Sequence, residues 1–125
     1  MANKTNEMTI NGITYVPKDS LPAATKVDTD GLAFVICRGY YCGVHAGFLK
    51  KQDGNHVTLV KSRRLWSWKC KQGISLTSLA TYGLEEDHAI PCALDEIWLG
   101  DVYEVIPCSV EAADSIINAP EREQE

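Results

Sequence analysis

The sequence predicts an α+β domain built on an antiparallel, β-rich sheet or small open barrel that carries two short helices. Short apolar runs recur between Gly, Asn and Asp turn signals, which is typical of antiparallel strands. Two later segments show helical spacing behind a serine that can serve as an N-cap. The chain has 125 residues, 45% of them apolar, so residues 1–125 can bury one core as a single domain.

The first predicted strands lie near the N-terminus. Residues 8–16 predict a small hairpin, because Asn11-Gly12 is the preferred two-residue type I′ turn. The polar residues 1–7 before it are expected to form a flexible tail. Residues 32–37, Leu-Ala-Phe-Val-Ile-Cys, are continuously apolar and predict a buried strand.

A longer hairpin is predicted in the centre of the chain. Its arms are residues 42–50 and 56–60, and the turn signal Gln-Asp-Gly-Asn at 52–55 lies between them. Gly43 and Gly47 lie within the first arm. Glycine inside a strand indicates a bulge or a close approach of two backbones, so we expect one of these in this arm.

The chain after this hairpin is predicted to continue as a strand over residues 64–69. Side chains alternate between the two faces of a strand, which places Arg64, Trp66 and Trp68 on one face. Arg63 should therefore point to the opposite face from Arg64.

A second hairpin is predicted in the C-terminal half. Residues 84–91 form an acidic loop before it. Residues 93–99 and 102–106 are expected to pair with each other, because Gly100-Asp101 can supply a two-residue turn between them.

The two helices are predicted from their caps. Ser75 can cap the first, and Gly83 suits the left-handed conformation that ends a helix. Ser109 can cap the second, over residues 110–118. Residues 119–125 then form a polar, charged end that is expected to be a flexible tail.

Charge is distributed very unevenly along the chain. Residues 50–71 hold seven lysines and arginines and one aspartate, a formal charge of +6. The rest holds five basic and sixteen acidic residues, a formal charge of −11. Within the positive segment, residues 61–71 contain five cations and two of the three tryptophans. We call residues 61–71 the basic strip.

The composition of the basic strip predicts a site for an anionic ligand that carries a ring. Arginine forms bidentate hydrogen bonds with phosphate, and an indole offers a flat face to a base. An oligomer would allow arginines on opposite faces to serve one ligand. The alternative is structural, with indoles in the core and cations in a solvated rim. The candidate ligand-binding residues are Arg63, Arg64, Trp66, Trp68 and Lys69.

Metal binding and cysteine catalysis are weaker alternatives. Cys37 and Cys42 have C-x₄-C spacing near His45, but no matching second pair follows, as a zinc site would require. Cys42 and His45 should face opposite sides of a strand, which does not suit a nucleophile and its base. Nothing resembles a nucleophile elbow or a phosphate-binding loop, so the sequence predicts neither an enzyme nor a cofactor.

An acidic surface offers a different kind of site. Glu85, Glu86 and Asp87 are adjacent in the predicted loop. Small inhibitors often present carboxylates to a basic surface of a target, so these residues predict a partner-binding surface. Their alternative role is solubility.

The sequence also predicts where the protein resides. The N-terminus lacks the apolar region of a signal peptide, and no run approaches the ~18 apolar residues that span a bilayer. We expect a cytoplasmic protein, with five reduced cysteines and no membrane contact. The net charge of −5 argues against direct nucleic-acid binding.

Four segments in a fixed order resemble an uncharacterised family of short phage and prophage proteins. The resemblance covers roughly residues 32–117 and implies a phage or prophage origin, hence the cytoplasm of a host cell. By analogy, it implies a protein that counters host defence. Our leading prediction is a homo-oligomer that sequesters a nucleotide-like ligand; the alternatives are an inhibitor of a host defence protein and a minor virion protein. The segments are Gly-Val-His-Ala-Gly-Phe-Leu (43–49), Arg-Arg-Leu-Trp-Ser-Trp (63–68), Ile-Ser-Leu-Thr-Ser-Leu-Ala-Thr-Tyr-Gly (74–83) and Val-Ile-Pro-Cys-Ser (105–109).

Overall fold

A computed structural model describes residues 8–10, 13–15 and 25–122 of the chain. The predicted α+β architecture is confirmed, with a β-rich antiparallel sheet and two short helices. In chain order, the elements of the described part are β1 (Met8–Ile10), β2 (Ile13–Tyr15), β3 (Phe34–Gly39), β4 (Gly43–Asp53), β5 (His56–Arg64), α1 (Leu76–Tyr82), β6 (Leu94–Leu99), β7 (Val102–Pro107) and α2 (Val110–Ile117).

The N-terminal strands β1 and β2 pair antiparallel, with Met8 opposite Tyr15. The predicted Asn11-Gly12 turn between them lies outside the described residues. The central hairpin of β4 and β5 is confirmed, and Gly54 at its turn has φ +63°. A positive φ costs glycine little, which explains why the chain reverses there.

The five longer strands form one antiparallel sheet in the order β6-β5-β4-β3-β7. The predicted hairpin between β6 and β7 is therefore wrong, because these strands lie at opposite edges of the sheet. Only Gly100 and Asp101 connect them. A short link spans at most about 3.6 Å per residue, so the sheet must curl until its two edges approach each other at this corner.

Each face of the curled sheet buries its own core. Phe34 and Ile36 on β3 pack with α1 and α2 in a helix-side core. The alternate residues Val35 and Cys37 pack with apolar residues of β5, β6 and β7 in a second core. Both edge strands contribute to this second core, so we place it inside the curl. Burial on both faces explains why the β3 sequence is a continuous apolar run.

A bulge in β5 reverses the alternation of its side chains. Ala46 pairs with Arg63 and Phe48 with Val60, so β5 has one residue more than β4 in this interval. Lys61 lies in the bulge with φ +53°. Arg63 and Val60 consequently face the same side of the sheet, toward the helices.

Gly47 permits the two strands to approach at this bulge. A methyl group at Gly47 would lie 3.0 Å from the Cα of Ser62 and 3.1 Å from the carbonyl oxygen of Val60. The predicted close approach in this arm is therefore confirmed at Gly47.

Both predicted helix caps are present. The Ser75 side chain accepts a hydrogen bond from the Ser78 amide at 3.1 Å, and the Ser109 side chain accepts one from the Ala112 amide at 3.0 Å. At the end of α1, Gly83 has φ +94° and donates its amide to the carbonyl oxygen of Leu79. These local hydrogen bonds satisfy helix-terminal groups that would otherwise lack partners.

The C-terminal segment runs beside the chain at Ile90. The Ile90 amide donates to the carbonyl oxygen of Pro120 at 3.0 Å, and the Arg122 amide donates to the carbonyl oxygen of Ile90 at 2.8 Å. Residues 1–7 and 123–125 lie outside the described residues, and the prediction of flexible tails stays a prediction. In the part of the chain that is described, no helix combines the length and hydropathy needed to cross a bilayer.

Candidate functional site

The basic strip leaves the sheet and lies beside the acidic loop. β5 ends at Arg64, so the predicted strand over 64–69 is wrong. The chain instead pairs with the segment after α1: Glu85 donates its amide to the carbonyl oxygen of Lys69 at 2.8 Å, and His88 Nε2 lies 3.0 Å from the carbonyl oxygen of Ser67. The most basic and the most acidic segments of the chain are thus neighbours.

Arg63 lies inside the protein and is not presented to a ligand. It is 4% exposed, and burial lowers the pKa of its guanidinium group. All three of its nitrogen atoms donate to backbone carbonyl oxygens. The acceptors are Ile90 (2.9 Å), Pro91 (2.8 Å), Ile116 (3.1 Å), Ile117 (3.4 Å), Ala119 (2.8 Å) and Pro120 (3.4 Å).

These contacts give Arg63 a structural role. The carbonyl groups of Ile116 and Ile117 end α2, where the helix leaves acceptors without intrahelical partners and carries a partial negative charge. One guanidinium group therefore caps α2 and joins it to the chain at Ile90. For this reason we leave Arg63 out of the candidate ligand site.

The other four predicted ligand residues are more accessible. Arg64 and Lys69 are exposed, and the Trp66 side chain is 75% exposed. Trp68 is half-buried and packs against the helix-side core. Arg63 and Arg64 are consecutive residues of β5 that pair with Ala46 and His45, so they face opposite sides of the sheet, as predicted. Of the five predicted ligand residues, Arg64, Trp66 and Lys69 are thus the exposed ones that a ligand could reach.

A groove of about 770 Å³ lies next to this surface, and the charged side chains of its lining are mostly acidic. Glu85, Glu86, Asp87 and Glu111 contribute four carboxylates, while Lys71 contributes the one lysine or arginine side chain of the lining. With the histidine in the lining neutral, the groove carries a formal charge of −3. We call it the acidic groove.

Hydrogen bonds and one ion pair shape the acidic groove. Lys71 Nζ lies 3.2 Å from Glu111 Oε2, so its positive charge is already engaged. His88 donates its amide to the carbonyl oxygen of Glu85 at 3.1 Å, which closes a tight turn. Asp87 has φ +63° within this turn, a conformation that aspartate tolerates better than most residues. The turn presents the three adjacent carboxylates outward, and all three are exposed.

His45 on β4 contacts the backbone of Cys42, the residue that precedes β4. His45 Nε2 lies 2.8 Å from the carbonyl oxygen of Cys42, so this nitrogen is directed at the backbone. Burial, followed by the hydrogen bond to Asp101, raises the pKa of the Cys42 thiol to about 11. A reactive cysteine needs a lowered pKa. Among the described residues, no group of three or more His, Cys, Asp or Glu side chains is placed to hold a metal ion.

Asp101 has a structural role that local sequence patterns do not identify. Its Oδ2 accepts hydrogen bonds from the amides of Tyr41 and Cys42, the latter at 3.2 Å. Its carbonyl oxygen accepts one from Tyr40 at 3.2 Å. These contacts join the β3–β4 turn to the β6–β7 link, some sixty residues apart in sequence. Asp101 therefore holds the corner at which the sheet curls.

We expect His45 to make the stability of the protein depend on pH. Its side chain is 1% exposed, and burial lowers its pKa below the usual 6.5. The unfolded chain therefore binds more protons below pH 6.5, so the free energy of unfolding falls as pH decreases toward the lowered pKa. The largest slope from one group is about 1.4 kcal/mol per pH unit.

Urea unfolding between about pH 7.5 and about pH 5.5 measures this slope. His45→Gln is the control, because it removes the titrating group and should flatten the profile above the range where carboxylates titrate. An unchanged slope in His45→Gln would show that another group is responsible.

Comparison with known proteins identifies a family for the chain. No curated protein and no solved structure matches it. The family model described as "Domain of unknown function (DUF6948)" matches residues 32–116, which include the whole sheet from β3 to β7, α1 and nearly all of α2. Since this match covers more than half of the sequence, the chain belongs to the DUF6948 family.

Proposed function

We propose that the protein binds a basic segment of a partner protein in the acidic groove. The observation that supports this best is the groove itself. It is a concavity with a volume of about 770 Å³, and four carboxylates and one lysine line it. That lysine, Lys71, is already paired with Glu111 at 3.2 Å. An anionic ligand would be repelled by this surface, whereas lysine and arginine side chains would be attracted to it.

The shape of the groove suits side chains of an extended segment. A groove of this volume is large enough for several side chains, and its lining also includes Tyr82 and Pro120. Lysine and arginine bury their aliphatic stems against such apolar groups while their charged ends reach carboxylates. Complementary charge also accelerates association, and salt weakens that effect.

The resemblance to phage and prophage proteins suggests the class of partner. A protein that counters host defence would find basic surfaces on host proteins that bind nucleic acids or nucleotides, because those surfaces neutralise phosphate. In this proposal the acidic groove covers such a surface and blocks it. The protein would then act as an inhibitor in the cytoplasm of the host cell.

A peptide-binding measurement tests the proposal. We expect a fluorescent Lys/Arg-rich peptide to bind the protein, and Glu85→Lys/Glu86→Lys to weaken it by about tenfold or more, which is about 1.4 kcal/mol. Both residues are exposed, so the fold should tolerate the change. Fluorescence anisotropy at about 0.1 M salt gives the affinities.

The matched control reverses two exposed acidic residues elsewhere. Asp30→Lys/Asp95→Lys changes the net charge by the same amount and leaves the groove intact. If this control weakens the peptide as much as Glu85→Lys/Glu86→Lys does, the attraction belongs to the whole acidic protein, and the groove has no special role.

A second candidate function is sequestration of a small anionic ligand by the exposed part of the basic strip. The 75% exposed Trp66 supports it, together with the exposed cations Arg64 and Lys69. Trp68 would contribute little because it packs against the core. A homo-oligomer would bring cations from two copies to one ligand.

Calorimetry with cyclic nucleotides and ADP-ribose derivatives tests this candidate. A heat of binding that the wild-type protein gives and that disappears in Arg64→Ala and in Trp66→Leu would support this candidate. If none of these ligands gives a heat of binding, the candidate is wrong. Native mass spectrometry of the same protein reports the number of subunits.

A further inference from the structure

The indole of Trp98 is exposed and yet held in one orientation. Its side chain is 79% exposed, and its Nε1–H donates to Glu96 Oε2 at 2.7 Å. Glu96 Oε1 in turn accepts from Lys50 Nζ at 3.1 Å. These two hydrogen bonds, first that of Trp98 and then that of Lys50, lower the pKa of Glu96. The Glu96 carboxylate thus accepts the indole N–H with one oxygen and the Lys50 ammonium group with the other.

The strand arrangement explains why this ring faces solvent. Trp98 and Glu96 are two residues apart on the edge strand β6, so they share a face. Leu99 lies on the other face and belongs to the core inside the curl. Leaving a tryptophan exposed forgoes the burial of a large apolar surface. A fixed, exposed indole is a ready platform for stacking.

A cavity of about 330 Å³ lies beside the ring. This volume is in the range of small-molecule sites. Val57 and Leu99 also line it, although their side chains are buried in the core inside the curl. Its polar lining offers a cation, a carboxylate, an imidazole and a hydroxyl group. These polar residues are Lys51, Asp53, His56 and Thr58.

Two features of the lining match a ring with an anionic group. Among residues 25–122, no ion pair joins Lys51 to another side chain, so its ammonium group is available to an anion. Gly100 and His56 both line the cavity, and a methyl group on Gly100 would lie 3.8 Å from the His56 ring. The imidazole therefore borders the cavity on the side of Gly100. Asp53 and Thr58 can pair with amino or carbonyl groups at the edge of a heterocycle.

We propose that Trp98 and this cavity form a binding site for a planar heteroaromatic ring that carries one anionic group, as a nucleoside monophosphate does. The ring stacks on the Trp98 indole, and the phosphate reaches Lys51. Glu96 is a positioning residue, since it holds the indole and does not touch the ligand. This site is independent of the acidic groove, with which it shares no lining residue.

Trp66 provides the matched comparison. It is about as exposed as Trp98, but its indole makes no hydrogen bond to the residues that the structure describes. The two tryptophans thus differ in whether the ring is held. A ligand that recognises a prearranged platform should distinguish them.

The test measures binding of AMP and adenosine to the full chain by calorimetry. We expect Trp98→Leu to weaken both ligands about tenfold or more, because base stacking on an aromatic side chain contributes that much. Trp66→Leu should leave both affinities unchanged. Lys51→Ala should weaken AMP about fivefold and leave adenosine unchanged, since only AMP has the phosphate. Glu96→Ala should weaken both ligands several-fold by releasing the ring.

Indole N–H signals in NMR spectra locate the ligand, with the Trp98 signal assigned from Trp98→Phe. Saturable movement of this signal with AMP supports the proposal. Any of three results would overturn it: no binding of either ligand, equal losses in Trp66→Leu and Trp98→Leu, or a Trp98 signal that moves with protein concentration instead of AMP. The last result would mean that a second copy of the chain covers the ring.

Discussion

Arg63→Met is expected to destabilise the protein by about 3–5 kcal/mol, because several backbone carbonyl groups lose a charged donor and each unsatisfied buried acceptor costs about 1–3 kcal/mol. The guanidinium group donates to six backbone carbonyl oxygens between 2.8 and 3.4 Å. Methionine fills a similar volume but donates nothing. The carbonyl groups of Pro91, Ile117 and Ala119 would lose the donor that the structure describes for each, whereas the carbonyl groups of Ile90, Ile116 and Pro120 keep a backbone donor.

Two further variants make this prediction specific. Arg64→Met changes the neighbouring residue, which is exposed and bonds only to the carbonyl oxygen of Cys42 among the described residues, so it should cost about 0.5 kcal/mol or less. Arg63→Lys keeps the charge but not the planar fork of donors, so its cost should be intermediate. Urea unfolding measures all three. Equal costs for Arg63→Met and Arg64→Met would contradict the structural role of Arg63.

Gly39→Ala is the second large expected effect, a loss of about 1–3 kcal/mol from overpacking. The added methyl group would lie 2.1 Å from Cys42 Sγ, 2.6 Å from Asp101 Oδ1 and 3.2 Å from the carbonyl oxygen of Asp101. The Asp101 carboxylate cannot simply rotate away, because it accepts the amides of Tyr41 and Cys42. The corner that curls the sheet would have to open.

Gly100→Ala is the matched control at the same corner. A methyl group there would meet only the His56 ring, at the ordinary contact distance of 3.8 Å. We expect a change of about 0.5 kcal/mol or less. Thermal unfolding of the two variants separates the predictions. Equal losses of stability in Gly39→Ala and Gly100→Ala would show that the close contacts at Gly39 do not hold the sheet closed.

Local patterns predicted the local structure of this protein well. Ser75, Gly83 and Ser109 identified the ends of the helices, because a cap depends on residues one turn away. The turn at Gly54 identified the central hairpin for the same reason. Gly47 marked a close approach, since only a missing side chain allows two backbones so near each other.

The errors came from contacts between distant parts of the chain. Gly100-Asp101 resembles a hairpin turn, but β6 pairs with β5 and β7 pairs with β3, which no local pattern reveals. The bulge at Lys61 reverses the face of every later residue in β5. Simple alternation therefore could not show that Arg63 turns toward the helices.

The candidate sites were predictable in part. Charge alone singled out both the basic strip and the acidic residues Glu85, Glu86 and Asp87. Their adjacency could not be predicted, because it depends on the pairing of Lys69 with Glu85. The sequence alone did not single out Trp98, because the significance of this residue rests on its hydrogen bond to Glu96. The spacing of two residues on a strand was the available signal.

The most direct test of the acidic groove is zero-length crosslinking of carboxylates to lysines in lysate of cells that express the protein. The groove predicts crosslinks from Glu85 and Glu86 to lysines of one partner protein, and their loss in Glu85→Gln/Glu86→Gln, with the partner no longer captured. Crosslinks spread over carboxylates outside the groove, or capture of the same partner by Glu85→Gln/Glu86→Gln, would contradict it.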